Sequence, residues 1–458
     1  MKHTFDAVIV GAGQAGPSLA VRLATAGWKV ALVERNLFGG TCVNTGCTPT
    51  KAMVASAHAA HLARRGTDFG VTAGPVSVDM RAVKARKDAI VLKSRTGVEN
   101  WLRNTANCTV FTGTASFESP NTLRVGDDLL ETKQTFLNVG ARPTVPKMKG
   151  TDTVPFLTST GILDLDELPQ HLVVIGGGYV GLEFAQMFRR FGSEVTVVDT
   201  NPRLAMHEDE DASKVIREVF EAEGVKLRLN ATCIHLEERE GQPAAGIECD
   251  EGAPHAIGSH ILLAVGRTPN TDDLGLSAAG VLVDKHGYIP VDDELKTNVP
   301  GIYALGDCNG RGAFTHTSYN DYEIAAANLL DNDKRRVSDR IPVHALYIDP
   351  PLGGIGMTEA EVRRTGKPAL IGVRPMTRVS RAIEKGETFG FIKVLVDAET
   401  DLILGATVFG TGGDEAVHCL LTAMYARQTA SQFRRSVHIH PTVSELIPTV
   451  LGELKPLT

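Results

Sequence analysis

Residues 5–34, FDAVIVGAGQAGPSLAVRLATAGWKVALVE, contain the pattern that decides the fold. An apolar run leads into the glycines of GAGQAG, and a helix-forming stretch and a second apolar run follow, ending at Glu34. This order is typical of a dinucleotide-binding βαβ unit, in which glycines let the backbone approach a pyrophosphate and a terminal acid binds ribose hydroxyls. We therefore expect Gly11, Gly13, Gly16 and Glu34 to bind a dinucleotide.

The same plan recurs in residues 171–199, HLVVIGGGYVGLEFAQMFRRFGSEVTVVD. Two dinucleotide sites in one chain indicate that one holds a flavin and the other a nicotinamide donor, because electrons must pass between carriers. A carboxylate at the ribose position repels a 2′-phosphate, so Asp199 favours NADH, although the nearby Arg203 leaves NADPH possible. The residues expected to bind the second dinucleotide are Gly176, Gly178, Gly181 and Asp199.

Between the two units, residues 39–51 read GGTCVNTGCTPTK and carry a cysteine pair, Cys42 and Cys47. The alanine-rich run after Pro49 predicts a helix, whose N-terminus would favour an anionic sulfur at Cys47. We interpret the pair as a redox-active disulfide. A buried structural pair is the alternative. A zinc site is disfavoured because the chain lacks a second pair or histidines at similar spacing.

The bulk composition is that of an ordinary α/β protein. The chain has 458 residues, of which 43% are hydrophobic and 22% charged, and its net charge is −7. This charge favours neither nucleic acid nor an anionic membrane as a partner. With no apolar stretch approaching the ~20 residues of a membrane span and no signal-peptide pattern, the expected location is cytoplasmic. The remaining cysteines are expected to be small buried residues: Cys108, Cys233, Cys249, Cys308 and Cys419.

Several ordered motifs resemble the flavin-dependent pyridine nucleotide-disulfide oxidoreductases, the family of dihydrolipoamide dehydrogenase, glutathione reductase and mercuric reductase. They are the first glycine motif, GGTCVNTGCTPTK, FLNVGARPTVP, GGGYVGLEFA, GIYALGDCNG and HIHPTVSE. The resemblance covers essentially the whole chain. It implies an α/β fold with two Rossmann-like dinucleotide-binding domains of three ββα layers, and an α+β dimerisation domain. The implied boundaries are 1–150 and 268–340 for FAD, 151–267 for NAD(P), and 341–458 for dimerisation.

The resemblance also implies roles for individual residues. Cys47 is similar to the thiolate beside the flavin and Cys42 to the thiol that attacks substrate, while Lys51 and Glu183 resemble an ion pair near the reactive flavin nitrogen. Tyr179 resembles the residue that covers the flavin until nicotinamide enters. Further positions that match cofactor-binding residues of the family are Thr41, Gly140, Gly266 and Asp307, the last contacting the ribityl oxygens of FAD.

His440 and Glu445 resemble the family's histidine–glutamate pair, which reaches across a homodimer interface into the partner's disulfide site. An imidazole titrates near neutrality, so it can take a proton from an attacking thiol and return it to a leaving one. The resemblance therefore implies a homodimer with shared active sites. His58, His61 and His438 are expected to be structural.

The expected reaction passes electrons from NADH through FAD and the cysteine pair to a small-molecule or protein disulfide. Thr48 between Cys47 and Pro49, and the segment GRGAFTHTSYND, depart from dihydrolipoamide dehydrogenases and look more like the mercuric-reductase-like branch, but the chain has no terminal cysteine pair. Thr48 could bond the nearby thiolate or cap the helix. The alternatives are a metal-ion (mercuric or cupric) or quinone reductase, a dihydrolipoamide dehydrogenase subunit of a multienzyme complex, and a non-catalytic flavoprotein.

Overall fold

The computed structural model describes residues 1–248 and 253–457. The strands, in chain order, are β1 (Lys2–Val10), β2 (Val30–Glu34), β3 (Cys108–Thr112), β4 (Ala115–Ser119), β5 (Thr122–Val125), β6 (Asp128–Leu137), β7 (Ala141–Pro143), β8 (Leu157–Thr158), β9 (His171–Ile175), β10 (Glu194–Val198), β11 (Lys226–Arg228), β12 (Thr232–Arg239), β13 (Gln242–Glu248), β14 (His255–Ile257), β15 (His260–Leu263), β16 (Arg267–Pro269), β17 (Ile302–Ala304), β18 (Val343–Leu346), β19 (Leu352–Gly356), β20 (Ala369–Pro375), β21 (Phe391–Asp397), β22 (Ile403–Phe409) and β23 (Lys455–Pro456).

The helices are α1 (Ala15–Thr25), α2 (Gly40–Asn44), α3 (Cys47–Arg64), α4 (Met80–Arg103), α5 (Tyr179–Phe191), α6 (Glu210–Ala222), α7 (Leu276–Ala279), α8 (Thr315–Ala326), α9 (Glu359–Thr365), α10 (Ser380–Glu384), α11 (Gly413–Ala416), α12 (His418–Tyr425), α13 (Ala430–Phe433) and α14 (Ile447–Gly452). Turns of 3-10 helix lie at Gly66–Phe69, Gly161–Asp164, Gly306–Asn309, Val337–Asp339, Met376–Arg378 and Ser444–Leu446, and a π-helical turn lies at Ala327–Asp331. In the part of the chain that the structure describes, every helix is too short or too polar to cross a membrane.

The first sheet is built around β1, whose residues from Ala7 to Val10 are all buried. A continuous apolar run of this kind suits a parallel strand that is covered on both faces. The strand order β3-β2-β1-β6 is parallel, and β17 adds to β6 in parallel register, with Ile302 opposite Thr135. Strands β4 and β5 extend the other end of β6 as an antiparallel meander. A segment far along the chain therefore completes the sheet that the N-terminus begins.

The second sheet repeats this plan with the order β11-β10-β9-β15-β8, all in parallel register. Helix α5 follows β9 and packs its apolar face into the core through Leu182, Phe184 and Phe188. The two units are also joined by a short strand pair. Strand β7, which follows β6, is antiparallel to β16, which follows β15. Beside them, β12-β13-β14 form a separate antiparallel sheet.

The third sheet, β18-β19-β22-β21-β20-β23, is antiparallel and carries the C-terminal helices on its core side. Two parallel dinucleotide-binding units followed by this α+β unit confirm the expected fold class. The division at 1–150 plus 268–340, 151–267 and 341–458 stays a prediction.

The cysteines depart from expectation at one position. Cys308 is fully buried, and Cys108 and Cys419 are partly buried, but Cys233 is exposed. Cys233 has a φ of 53° and lies where the register between β12 and β13 shifts, so the irregular backbone turns its side chain to solvent. The expectation that Cys233 is buried was wrong, and Cys249 lies outside the described residues.

Candidate active site

The first glycine loop lies where the parallel strands β1 and β2 end. Glu34 is the last residue of β2, and its carboxylate accepts hydrogen bonds from Ala12 N over 2.7 Å and from Asn36 N over 2.8 Å. A Cβ atom at Gly16 would lie 2.1 Å from Gly11 O, so a side chain there would push α1 away from the loop. The glycines thus let the helix begin close to the strand, next to a fixed carboxylate.

The loop opens into a cavity of about 1010 Å³. This volume is at the upper end of the ~300–1,000 Å³ that is usual for ligand pockets, so the cleft can accept a ligand as large as a dinucleotide. Its walls bring together many of the expected site residues from both dinucleotide units: Gly11, Gly13, Glu34, Thr41, Cys42, Cys47, Lys51, Gly140, Tyr179, Glu183 and Asp307.

Asp307 tests whether FAD fits this cleft. Burial raises the pKa of its carboxyl group, and the nearest cation, Arg267, has its Nε atom 3.8 Å from Asp307 Oδ2. Arg267 is itself turned towards Thr41 Oγ1, 3.3 Å away, and towards Ala141 O. A half-buried carboxylate that faces the cleft, with its cation no closer than this, can accept hydrogen bonds from hydroxyl donors of a ligand, which the ribityl chain of FAD carries. The residues present therefore fit FAD.

The two cysteines lie on neighbouring helices on the wall of the cleft. Cys42 is in α2 and Cys47 is the first residue of α3, and both are free thiols. A hydrogen bond from Cys42, with help from Thr315 and Lys51, lowers the pKa of Cys47 to about 6, whereas the same bond raises the pKa of Cys42. The pair is thus a thiolate and a thiol. In the described residues no group of three or more His, Cys, Asp or Glu side chains could hold a metal ion.

A cation lies beside the pair. Lys51 Nζ donates to Glu183 Oε2 over 2.7 Å, and Glu183 Oε1 accepts from Tyr347 N over 3.1 Å. Lys51 Nζ also lies 4.5 Å from the centre of the Tyr347 ring, within range of a cation–π interaction. The carboxylate is almost fully buried, at 8% exposure, so the lysine is its necessary partner.

The second glycine loop has the same geometry as the first, but its glycines do not line this cleft. Asp199 follows β10 and accepts hydrogen bonds from Gly177 N and, over 2.8 Å, from Asn201 N, as Glu34 does in the first loop. A Cβ at Gly181 would lie 1.9 Å from Gly176 O, while Gly178 faces open space in which a phosphate can lie. Gly266, with a φ of 116°, follows β15 as Gly140 follows β6.

Tyr179 is shared by the two sites. It belongs to the second glycine loop as the first residue of α5, and its side chain lines the cleft. Its hydroxyl donates to Glu208, and burial, together with that carboxylate, raises its pKa far above the usual value. Its ring stacks on His344 with the ring centres 5.9 Å apart.

His440 and Glu445 bond to each other but lie apart from the cleft of their own chain. His440 Nδ1 is 2.9 Å from Glu445 Oε2, and the imidazole is 74% exposed. The structure therefore does not bring this pair to Cys42 and Cys47 of the same chain. It leaves the ring available to a second subunit.

Sequence reasoning missed the part of the cleft wall that the head of α8 and His344 supply. Thr315 Oγ1 lies 3.4 Å from Cys47 Sγ, and Phe314, His316 and His344 also line the cleft. The signal was the unusual stretch AFTHTS, two residues after GDCNG, which places a hydroxyl, an aromatic ring and an imidazole at the head of α8. Within residues 1–248 and 253–457, Thr48 neither bonds the thiolate nor caps α3, whose N-cap is Gly46. The structure therefore supports neither role that the sequence left open for Thr48, and Thr315 supplies the hydroxyl beside Cys47.

Comparison with known proteins gives consistent matches along the chain. The family model for pyridine nucleotide-disulphide oxidoreductases matches residues 5–322, and that for their dimerisation domain matches residues 343–451. The probable pyridine nucleotide-disulfide oxidoreductase RclA of Escherichia coli (strain K12) is 35% identical over 461 residues, covering 99% of this chain and 100% of RclA. A dihydrolipoyl dehydrogenase of Thermus scotoductus is 34% identical over 449 residues, covering 96% of this chain and 95% of that protein. A solved Cu(II) complex of the HOCl-induced flavoprotein disulfide reductase RclA from Escherichia coli has a TM-score of 0.89 at 34% identity, covering 98% and 99% of the two chains.

Proposed function

Because the chain belongs to the family of FAD-dependent pyridine nucleotide-disulfide oxidoreductases, we propose that it uses NADH to reduce an external disulfide through Cys42 and Cys47. The observation that carries this proposal is the unequal pair of free thiols on the wall of the cleft. Bound FAD would supply the two-electron chemistry that links NADH to the sulfur pair. The first glycine loop, Glu34, Thr41, Gly140 and Asp307 would hold it.

The two thiols take different parts in the reaction. Cys42 loses its proton and its sulfur attacks one sulfur of the substrate, so that the substrate S–S bond breaks and the first product thiolate leaves. The Cys47 thiolate then attacks Cys42 Sγ, which forms the Cys42–Cys47 disulfide and releases the second thiolate. The electron pair from NADH returns the disulfide to two thiols. One NADH and one proton thus give NAD⁺ and two thiols for each disulfide reduced.

Two pairs of charged side chains assist the thiols: one stabilises the thiolate and the other transfers a proton. Lys51, fixed by Glu183, places a positive charge beside Cys47 and stabilises its thiolate. The match to the family's dimerisation domain indicates a homodimer, and His440 of the partner subunit takes the proton of Cys42 and returns it to the leaving thiolate. Glu445 bonds one ring nitrogen of His440, which leaves the other to exchange the proton.

The second glycine loop supports NADH over NADPH. Asp199 places a carboxylate where a 2′-phosphate would lie. Arg203, the cation that could relieve this repulsion, donates instead to Glu208 O over 2.6 Å and to Ser213 Oγ over 2.7 Å. We expect kcat/KM to be higher for NADH, and a higher value for NADPH would contradict this assignment.

The direct test is NADH oxidation with a panel of disulfides, including glutathione disulfide, lipoamide and a protein disulfide, in wild type and in Cys42→Ser. We expect at least one disulfide to be reduced by the wild type and none by the variant. Full activity of Cys42→Ser towards the best substrate would contradict the disulfide mechanism. Preference for lipoamide would assign the chain to the role of its dihydrolipoyl dehydrogenase relatives.

A second candidate function is reduction of Cu(II). It is favoured by the Cu(II) complex of the RclA relative and by the two sulfurs here, since thiolates are good ligands for Cu(I). NADH and two Cu(II) ions would give NAD⁺, two Cu(I) ions and one proton. No thiol leaves in this reaction, so His440→Ala should retain copper-dependent NADH oxidation and lose disulfide reduction. If His440→Ala loses both activities, a copper reaction that proceeds without the histidine is excluded.

A further inference from the structure

Tyr179 lies where the second dinucleotide site meets the cleft. Its backbone is part of the loop from Gly176 to Gly181, while its side chain lines the same cavity as Cys47 and Lys51. A nicotinamide whose dinucleotide is bound on this loop must therefore pass the Tyr179 ring to reach the cleft. The inference that follows rests on the proposed function, because it assumes that NADH delivers its hydride in that cleft.

The Tyr179 ring is held by two residues far away in the sequence. Its hydroxyl donates to Glu208 Oε1, and His344 Nε2 lies 2.8 Å from the same oxygen. Glu208 is only 4% exposed, so its carboxylate depends on these neighbours. His344 also stacks on the tyrosine ring, and the centre of the Phe314 ring lies 6.4 Å from the centre of the Tyr179 ring. The ring is thus fixed by a hydrogen bond at its tip and by aromatic contact along its side.

The acceptor cannot follow the ring if the ring moves. Arg203 donates to the backbone carbonyl of Glu208 over 2.6 Å. The next residue, Asp209, accepts from Lys393 Nζ over 2.8 Å and from Glu359 N over 3.0 Å, both in the C-terminal unit. Glu208 is therefore tied on both sides. Movement of Tyr179 away from the passage must break its hydrogen bond.

We propose that Glu208 and His344 are positioning residues that hold the Tyr179 ring across the passage from the second glycine loop to the cleft. Binding of the nicotinamide half then requires the Tyr179–Glu208 hydrogen bond to break. Binding of the adenosine half does not, because that half stays beside Asp199. The free energy needed to break this hydrogen bond therefore weakens binding only of ligands that carry the nicotinamide ring.

The test compares two ligands on the FAD-loaded dimer by calorimetry: NAD⁺, and ADP-ribose, which lacks the nicotinamide ring. Tyr179→Phe removes the hydroxyl and keeps the ring, and we expect it to tighten NAD⁺ binding by about tenfold, the worth of a hydrogen bond to a charged acceptor. Glu208→Gln keeps the shape but weakens the acceptor, so it should tighten NAD⁺ binding by less. The double variant should bind NAD⁺ no more tightly than Tyr179→Phe, because both changes act on one bond.

Binding of ADP-ribose should not change in any of these variants. The matched control is Tyr303→Phe, which removes a hydroxyl from a tyrosine stacked on Phe136 outside the cleft and should leave both ligands unaffected. Unchanged NAD⁺ affinity in Tyr179→Phe, or equal changes for NAD⁺ and ADP-ribose, would overturn the proposal. The KM for NADH should fall in the same order while kcat changes less. If NADH does not reduce the flavin of the wild-type protein, the proposed function is overturned as well.

Discussion

Lys51 Nζ lies 2.7 Å from Glu183 Oε2, and this ion pair joins α3, which begins at Cys47, to α5, which follows the second glycine loop. After the hydrogen bond from Cys42, which has the largest influence, these two charges act on Cys47 in opposite directions. Lys51 lowers the pKa of Cys47 and Glu183 raises it. The pair therefore makes a smaller adjustment, of either sign, to the acidity of the Cys47 thiol.

The first prediction is that single substitutions at this pair shift the pKa of Cys47 in opposite directions. Lys51→Met should raise it above about 6, and Glu183→Gln should lower it. The measurement is the pH midpoint of the long-wavelength absorption band that a thiolate gives next to oxidised flavin, after anaerobic reduction with one equivalent of NADH. Lys84→Met, at a partly exposed lysine paired with Asp88 away from the cleft, is the control and should leave the midpoint unchanged. Shifts of the same sign would show that the charges do not act on Cys47.

The second prediction concerns the hydrogen bond between the cysteines. The Cys42 thiol is the main cause of the low pKa of Cys47, so Cys42→Ala should raise that pKa well above about 6. Cys42→Ser keeps a donor and should raise it less. The same absorption band, titrated in both variants, measures the difference. Equal midpoints in the alanine and serine variants would contradict the assignment of Cys42 as the donor.

The third prediction follows from the exposed position of His440. When Cys42→Ser and His440→Ala chains are mixed one to one and allowed to exchange subunits, heterodimers each contain one site with both residues intact if the histidine acts across the interface. Random pairing in a two-fold dimer then restores about a quarter of wild-type disulfide reductase activity. If the histidine acted on its own chain, no intact site would form and the mixture would stay inactive. Unmixed variants, separately inactive, are the controls.

The fourth prediction tests the buried lysine of the C-terminal unit. Lys393 is 1% exposed and its Nζ donates to Asp209 and Asp211 over 2.8 Å each. Lys393→Met leaves the Asp209 carboxylate buried without its cation, which should cost about 3–5 kcal/mol and lower Tm by several degrees. Lys226→Met, at an exposed pair with Glu194, should cost less than about 1 kcal/mol. Thermal unfolding of the two variants side by side makes the comparison, and equal losses would mean that the Lys393 contacts are not stabilising.

The fifth prediction is a pH dependence of stability at His58. The hydrogen bond to Asp349, over 2.7 Å, raises the pKa of His58. A raised folded-state pKa stabilises the fold below the unfolded value of about 6.5, and this contribution is lost as pH rises through the folded value. His58→Gln should therefore lower Tm at about pH 5.5 and have little effect at about pH 9. A loss that grows with pH would contradict the assigned sign. The effect should be modest because the imidazole is 40% exposed.

The sequence was sufficient for those features that depend on local pattern. The two glycine loops, the acids Glu34 and Asp199, and the helix that begins at Cys47 each follow from a short run of residues whose geometry is fixed by neighbouring backbone. The resemblance to the family added the Lys51–Glu183 pair, which no spacing reveals because the partners belong to different units.

The rest depends on segments that meet only in the folded chain. Thr315, Glu208 and His344 come from three separate regions, and nothing local to any of them shows that they face Cys47 or Tyr179. The prediction that Cys233 is buried was wrong for a different reason. Its exposure results from a shift of register in a strand pair, which the apolar character of a cysteine does not disclose.

The late addition of β17 to the first sheet has a consequence for synthesis. Strand β6 has to wait for Ile302–Ala304 before its parallel edge is covered, whereas the β9-to-β15 unit is complete in one continuous stretch. Ribosomes add about 5–20 residues per second and domains generally fold as units. On the ribosome, the middle unit can therefore complete its sheet before the N-terminal unit does, and the first sheet remains incomplete until β17 has emerged.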